Sequence, residues 1–380
     1  MTQRELVERI RQRLASDPSE PTAHSVAAAL RAERQLAGSA TVLALVDELR
    51  RETRGVGSLE PLLSLPGVTD VLVNGADEVY FDRGRGLETS SIVFPDEESV
   101  RRLAQRLAAQ AGRRLDDASP WVDARLGDGT RLHAVLAPLA RPGTLISLRV
   151  PARRSFTLDE LAAAGSLSEV AAERIQAIIA RRCAFIVSGG TGSGKTTLLA
   201  AMLGLVDPLE RIVIVEDATE LRPDHPHVVG LEARPANIEG AGLVTVRDLV
   251  RQALRMRPDR LIVGEVRGGE VVDLLAALNT GHEGGCGTIH ANSAADVPAR
   301  FEALAVAAGM PREALHSQLR SSLDLVVHLA RAADGLRRVE QIAVLGADER
   351  GFVTCEPALQ FDEMEAVRGP GHERLAALLA

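Results

Sequence analysis

The chain has a single lysine, Lys195, although 44 of its 380 residues are lysine or arginine. Every other basic side chain is therefore an arginine. Arginine carries a planar, five-donor fork, whereas lysine carries a compact ammonium group on a flexible stem. Either cation suits a solvated surface, but only the ammonium fits inside a tight loop of backbone amides. We therefore expect Lys195 to lie in such a loop.

Aromatic residues are also scarce. They make up 2% of the chain, with one tryptophan and one tyrosine, and the formal net charge is −8. Proteins that bind single-stranded nucleic acid stack bases on aromatic rings, and their affinity for the phosphate backbone depends on positive charge. The composition therefore argues against nucleic acid as a direct ligand.

Cysteines and long apolar runs are few as well. Cys183, Cys286 and Cys355 form no C-x-x-C pair, which argues against a zinc site and against a disulfide framework. No apolar run approaches the roughly 18 residues of a membrane span. The charged residues 1–14 lack the apolar core of a signal peptide. We therefore expect a cytoplasmic protein.

The length and the patterning of the chain predict two domains. From residue 183 onward, apolar strand patterns alternate with helical patterns, which predicts a parallel sheet and the α/β fold class. The expected divisions are a helical N-terminal extension over 1–55, a smaller α/β domain over 56–150, a linker over 151–164 and a second domain over 165–380.

The stretch that contains the lysine, GGTGSGKTT, matches the phosphate-loop pattern G-x-x-x-x-G-K-[ST] over residues 189–196. A chance glycine-rich turn is the alternative. It is disfavoured because a strand pattern over 183–189 precedes the stretch and a helical pattern over 196–206 follows it. In this motif the lysine reaches the β- and γ-phosphates and the hydroxyl of Thr196 ligates Mg²⁺. The expected cofactors are ATP and Mg²⁺, and the expected nucleotide-binding residues are Gly189, Gly190, Thr191, Gly192, Ser193, Gly194, Lys195, Thr196 and Thr197.

Carboxylates follow two further predicted strands. Glu216 and Asp217 end one apolar run, and Glu265 ends another. Ligands lie at the carboxyl ends of strands in open α/β sheets, and an acid beside a phosphate loop can hold Mg²⁺ through water or polarise the attacking water. For the first pair, the alternative is that the acids cap the turn that follows.

Histidines and arginines supply the remaining candidates. His282 and His290 lie in a glycine-rich segment over 279–296, although a lone histidine is more often structural than catalytic. Arg131 and Arg149 lie on predicted strands of the first domain. An arginine from a neighbouring subunit can touch the γ-phosphate, and the alternative is a half-exposed strand arginine without such a role.

In this order, the segments resemble the four boxes of the secretion (traffic) ATPase superfamily of type II and type IV secretion and type IV pili. The resemblance is strongest to its CpaF/TadA-like tight-adherence (Flp) pilus and conjugation-associated branch. The matching segments are SGGTGSGKTT (188–197) for Walker A, VEDATEL (215–221) for the Asp box, LIVGEVRGGE (261–270) for an atypical Walker B and TGHEGGCGTIHANS (280–293) for the His box. Upstream, VTDVLVNGADEVYFDR (68–83) and SLR (147–149) resemble the N-terminal domain of the superfamily.

The resemblance implies a C-terminal RecA-like P-loop NTPase domain and an ATP-hydrolysing motor. It implies that Glu265 polarises the attacking water, that Glu216 assists at the metal or the water, and that the two histidines sense the γ-phosphate. The residues implied to complete the pocket from the N-terminal domain are Arg131 and Arg149.

The resemblance also implies partners and a place in the cell. The superfamily forms hexameric rings, so the first partner is a further copy of the chain. The second is an inner-membrane platform protein of a pilus or secretion system. The ring is expected to associate peripherally with the cytoplasmic face of the plasma membrane.

One departure from the family pattern is Cys286-Gly287, which is expected to put a thiol near the nucleotide. Two other functions stay open on the sequence. A RecA-like hexameric nucleic-acid motor is the main alternative, against which the acidic charge and the scarce aromatic residues count. A nucleotide-binding regulator without catalysis is the other, although every catalytic element of the family is present.

Overall fold

The computed structural model of the protein describes Ala28 and residues 55–84, 86–151, 155–236, 240–281, 283–332, 335–362 and 365–380. The chain forms two compact units, residues 1–152 and 153–380. The helical extension predicted over 1–55 lies outside the described residues, apart from Ala28 and Gly55. Within the described ranges, no helix is both long and apolar enough to cross a membrane.

The first unit is built on an antiparallel sheet of six strands. The strands are β1 (Asp70–Asn74), β2 (Glu78–Asp82), β3 (Leu87–Thr89), β4 (Trp121–Arg125), β5 (Arg131–Val135) and β6 (Leu145–Arg149). Their order across the sheet is β3-β2-β1-β6-β5-β4. The unit also contains a short helix α1 (Glu60–Leu63) and a long helix α2 (Glu97–Gln110).

The amphipathic pattern over 96–112 predicts a helix, and α2 confirms it. The Asp96 carboxylate accepts a hydrogen bond from the backbone N–H of Ser99 at 2.8 Å and caps the first turn. Its buried residues recur at helical spacing and pack into the core of the sheet; they are Val100, Leu103, Ala104, Leu107 and Ala108. Strand patterns over 67–75, 78–83, 131–139 and 143–150 predict four strands, and β1, β2, β5 and β6 confirm them. No such pattern predicts β3 or β4.

The second unit contains a mixed sheet of nine strands. The strands are β7 (Phe185–Gly189), β8 (Ile212–Glu216), β9 (Val228–Glu232), β10 (Arg260–Val263), β11 (Cys286–His290), β12 (Leu325–Arg331), β13 (Arg337–Ala347), β14 (Val353–Asp362) and β15 (Glu365–Arg368). Their order is β15-β14-β13-β12-β7-β11-β10-β8-β9. The six strands from β12 to β9 are mutually parallel, which confirms the predicted parallel sheet.

Helices cover both faces of this sheet. The helices are α3 (Leu158–Ala163), α4 (Glu169–Ala180), α5 (Lys195–Leu203), α6 (Val246–Ala253), α7 (Glu270–Leu278), α8 (Val297–Ala307), α9 (Arg312–Ser322) and α10 (His372–Leu379). Alternate residues of β7 enter two separate cores: Phe185 and Val187 pack with α3 to α5, and Ile186 packs with α6 to α9. Because both faces are buried, the central strands are continuous apolar runs.

The sequence over 157–182 has a helical pattern that predicts a single helix, but the structure divides it into two. Helix α3 ends before Gly165, which has a φ of 75° that favours glycine. Helix α4 then begins after Ser168, whose hydroxyl accepts a hydrogen bond from the backbone N–H of Ala171 at 3.2 Å. The segment GSLS therefore ends one helix and caps the next.

The C-terminal strands also differ from the prediction in one respect. Strand patterns over 338–346 and 351–358 predict an edge hairpin, and it exists as the antiparallel pair β13 and β14. However, β14 pairs with β15, so the hairpin is not the edge of the sheet. Strand β15 has four residues and is largely exposed, which explains why its sequence pattern is weak.

One arginine is completely buried in the second unit. The Arg260 guanidinium, at the start of β10, donates to the Glu210 carboxylate at 2.8 Å and to the carbonyl of Ile179 at 2.9 Å. Arg182 binds the same carboxylate at 2.9 Å, but its side chain is 42% exposed, against 2% for Arg260. Glu210 therefore forms two ion pairs, one with a buried arginine and one with an exposed arginine.

We predict that Arg260→Ala lowers the free energy of unfolding by about 3 kcal/mol, because it removes the buried partner of Glu210. The matched change Arg182→Ala should cost less than about 1 kcal/mol, because an exposed ion pair contributes little. Urea unfolding of the nucleotide-free chain measures both. Equal losses for the two variants would contradict this explanation.

Candidate functional site

The phosphate loop connects β7 to α5 in the middle of the parallel sheet. Gly189 ends β7, and Lys195 is the first residue of α5. A Cβ atom at Gly189 would lie 2.4 Å from the carbonyl oxygen of Leu329 on the neighbouring strand β12. Gly194 precedes the helix with a φ of 94°. Glycine is thus required at both ends of the loop, as the motif predicts.

Lys195 is buried, with 6% of its surface exposed. Its ammonium group donates to the carbonyl of Gly189 at 3.0 Å and to the carbonyl of Gly190 at 2.8 Å. Burial lowers the pKa of Lys195, while the negative charge of Glu265 opposes that shift. The ammonium therefore lies inside the loop, as its unique occurrence in the sequence predicts.

Ser193 gives an independent test of whether the loop suits a phosphate ligand. Its side chain is 3% exposed, and its hydroxyl has no hydrogen-bond partner among the described residues. A buried hydroxyl without a partner is costly. A phosphate oxygen at the loop would provide the missing acceptor, so the loop fits a nucleotide. Thr196 follows Lys195 at the start of α5 and is the residue whose hydroxyl suits Mg²⁺.

Three strand ends meet beside the loop. His290 ends β11, and its Nδ1 lies 3.3 Å from the Lys195 Nζ. Its Nε2 lies 3.0 Å from the Glu265 carboxylate, which follows β10. Because an ammonium group can only donate, Nδ1 accepts and Nε2 carries the proton that is donated to Glu265. Burial and the charge of Lys195 lower the pKa of His290, which favours this neutral form.

The carboxylate of Glu265 is held between His290 and Arg267, whose guanidinium donates to its other oxygen. Burial alone would raise the pKa of Glu265, but the hydrogen bond and charge of Arg267, with His290 and Lys195, bring it below its usual value. Glu265 is therefore ionised. Arg267 lies only two residues after Glu265 in the same segment, yet no pattern in the sequence marks it as a site residue.

Glu216 ends β8 with its carboxylate buried. Its Oε1 accepts hydrogen bonds from the backbone N–H groups of Glu220 at 3.1 Å and Leu221 at 3.0 Å. Its side chain also packs on Gly264, where a Cβ atom would lie 2.5 Å from the Glu216 Cγ. This acid holds the turn that follows β8, as in the capping alternative, and the packing explains why glycine precedes Glu265.

The remaining candidates of the His box lie at different places. His282 lies outside the described residues. Cys286 begins β11 and pairs with Phe185 at the start of β7, whereas His290 pairs with Gly189 at its end. The thiol is thus at the opposite end of the strand from the phosphate loop, and the expectation that it lies near the nucleotide is wrong. Burial raises the pKa of Cys286 to about 12.

The two candidate arginines of the first unit lie on neighbouring strands. Arg131 on β5 is directly opposite Arg149 on β6. Arg131 donates to the Asp123 carboxylate at 3.0 Å, and Arg149 donates to the Asp70 carboxylate at 3.2 Å. The side chain of Arg149 is 64% exposed. The sheet therefore presents two guanidinium groups side by side.

The loop geometry yields a prediction about two adjacent glycines. We predict that Gly189→Ala lowers the free energy of unfolding by about 1–3 kcal/mol, because its methyl group would overlap the Leu329 carbonyl. The matched change Gly190→Ala should have little effect, because nothing lies within 4 Å of the added atom. Thermal unfolding of the nucleotide-free variants compares them. A Gly189→Ala variant as stable as the wild type would contradict the packing described here.

Comparison with solved structures identifies the fold. The chain is similar to the pilus retraction motor PilT with bound ADP, at a TM-score of 0.52 and 20% identity, over 78% of this chain and 81% of that chain. It is similar to the ATPase DotB of Legionella pneumophila at a TM-score of 0.52 and 20% identity, over 77% and 80% of the two chains. The predicted fold class, a RecA-like P-loop core with a smaller α/β domain before it, is thereby confirmed.

Relatives with higher sequence identity are named as conjugal transfer proteins. A putative conjugal transfer protein of Mycobacterium tuberculosis is 60% identical over 314 residues, which cover 81% of this chain and 89% of the relative. The conjugal transfer protein TrbB of Rhizobium radiobacter is 32% identical over 303 residues, 78% and 89% of the two chains. The family described as Type II/IV secretion system protein matches residues 52–361. Because that match spans most of the chain, the protein belongs to the type II/IV secretion system family, as its four boxes indicate.

Proposed function

We propose that the protein is an ATP-hydrolysing motor that powers a tight-adherence or type IV-like pilus, or a type II/IV secretion machine related to conjugation. The observation that carries this proposal is the line of contacts from Lys195 through His290 to Glu265 at the mouth of the phosphate loop. The family and the conjugal transfer relatives support the biological role.

Each residue of that line has a role in the proposed reaction. Lys195 binds the β- and γ-phosphates, and the backbone amides from Gly189 to Thr197 cradle them. Glu265, kept ionised by Arg267, polarises the water that attacks the γ-phosphorus. His290 contacts both groups, so it can report the presence of the γ-phosphate to Glu265. We assign a similar sensing role to His282 from the His box alone.

Mg²⁺, when bound, neutralises charge on the phosphate oxygens. The Thr196 hydroxyl is the direct ligand in this proposal, and Glu265 holds the ion through water. Glu216 assists by holding the turn next to this site, because its Oε1 is engaged by backbone N–H groups.

We propose that the motor works as a ring in which Arg131 and Arg149 of the first domain complete the nucleotide pocket, as the family resemblance implies. Arg131 and Arg149 lie side by side on one sheet and supply two positive charges to the γ-phosphate. We propose a homohexamer in which domain closure and reopening convert hydrolysis into mechanical work. The proposed domain limits are 56–150, with a linker over 151–164, and 165–380.

We further propose an inner-membrane platform protein as the partner of the ring, with the motor bound peripherally to the cytoplasmic face of the plasma membrane. Among the branches of the superfamily, the four boxes resemble the CpaF/TadA-like branch most strongly. A nucleic-acid motor of RecA-like fold is the alternative. The net charge of −8 disfavours it, since such motors attract a polyanion.

We predict that the specific ATPase activity of the chain rises with protein concentration as the ring assembles. Arg149→Ala should still assemble but release phosphate about 100-fold more slowly, because an arginine that reaches the γ-phosphate stabilises the transition state. A phosphate-release assay with size analysis in parallel measures both properties.

The matched control is Arg83→Ala, which removes an equally charged side chain of the same unit that pairs with Glu88 at 2.9 Å. This variant should keep the wild-type rate. Activity that is independent of concentration and unaffected by Arg149→Ala would overturn the ring motor. Turnover that DNA stimulates in a salt-sensitive manner would favour the nucleic-acid motor instead.

A further inference from the structure

The hairpin of β12 and β13 extends past the end of the strand that carries the phosphate loop. Strand β12 runs parallel to β7, and Leu329 pairs with Gly189, the last residue of β7. Strand β12 continues to Arg331, which pairs with Arg337 at the start of β13. The closed end of this hairpin therefore lies beside the phosphate loop, at the edge of the sheet where the parallel strands end.

Leu329 and Arg337 of the hairpin both lie against Gly194 of the loop, and Arg337 is the charged one. Its Cδ lies 3.5 Å and its Cβ 4.0 Å from the position that a Cβ atom would take at Gly194. Gly194 precedes α5, whose first N–H groups carry the positive end of the helix dipole. The aliphatic stem of Arg337 thus lies over the side of Gly194 on which a Cβ atom would stand, close to the loop that would cradle a phosphate group.

The guanidinium of Arg337 is available for a ligand. The residue is exposed, and it forms no side-chain hydrogen bond or ion pair within the described part of the chain. Arg331, directly opposite, instead donates from Nε to the carbonyl of Gly335 at 3.3 Å. Two arginines directly opposite each other on a hairpin repel. An anion bound there would relieve this repulsion.

A second observation, on the residue before Gly194, points to the same ligand. The Ser193 hydroxyl is buried in the loop without a hydrogen-bond partner among the described residues. Arg337, against Gly194, and Ser193, the residue before it, are therefore two hydrogen-bond donors at the loop without a partner among the described residues. Both donors suit phosphate oxygens, and arginine is suited to bind two such oxygens at once.

We propose that Arg337 is a nucleotide-binding residue that donates to the phosphates of a nucleoside di- or triphosphate in the loop of its own subunit. The inference rests on the proposed ATPase function and deepens it. Arg337 lies outside the four boxes and belongs to the second unit, unlike Arg131 and Arg149. It supplies positive charge from the C-terminal hairpin.

The test compares two variants that keep the aliphatic stem. Arg337→Met retains the packing on Gly194 but removes the guanidinium, and Arg331→Met removes the opposite arginine of the same hairpin. Isothermal titration of the full chain with Mg-ADP and with Mg-pyrophosphate measures the affinities. We expect Arg337→Met to weaken both ligands about 10-fold or more, as for the loss of a hydrogen bond to a charged group. Arg331→Met should stay within about twofold of the wild type.

The outcomes separate this inference from the proposed function. Wild-type affinity of Arg337→Met for both ligands overturns the inference and leaves the ATPase function intact. A loss for Mg-ADP but not for Mg-pyrophosphate overturns the phosphate assignment in favour of the nucleoside. Equal losses in both variants show a general effect of charge and also overturn it. If the wild-type chain binds neither ligand, the proposed function itself fails.

Discussion

The site depends on one buried ammonium group. Burying a charge is costly unless it is paired, yet the hydrogen-bond acceptors of Lys195 are neutral: two carbonyl groups of its own loop and a histidine nitrogen. No carboxylate among the described residues forms an ion pair with it, and Glu265 acts on it only from beyond His290. The positive charge is thus left uncompensated where a polyphosphate can supply the balance. The rest of the unit supports that arrangement.

The support comes from the way the strands end. Strands β7, β10 and β11 are parallel neighbours, so their last residues meet beside the phosphate loop. Two close contacts fix the positions: Gly189 against the Leu329 carbonyl, and Gly264 against the Glu216 side chain. Both need a residue without a Cβ atom. The sheet therefore places the functional side chains at its strand ends. Glycine at Gly189 and Gly264 allows those strand ends to lie close to their neighbours.

The sequence predicted the parallel sheet, the loop and the acidic and histidine strand ends, because continuous apolar runs and a long motif are local signals. It did not predict the contact of Arg337 with the loop, because that contact depends on which strands become neighbours. Nor did it predict the contact of Arg267 with Glu265, which depends on the local path of the turn after β10. It placed Cys286 wrongly, because a position within a box does not tell which end of the strand faces the nucleotide. The segment GSLS contained a helix end that the apolar periodicity of 157–182 obscured.

The most direct test of the central claim measures the binding and turnover of Mg-ATP by two separate variants, Lys195→Arg and Glu265→Gln. Arginine replaces lysine throughout this chain, so only the need for a compact ammonium in the loop explains the exception. We predict that Lys195→Arg loses at least about 100-fold in turnover and binds Mg-ATP weakly. Glu265→Gln should bind it normally but hydrolyse it slowly. Wild-type turnover by Lys195→Arg would contradict the account.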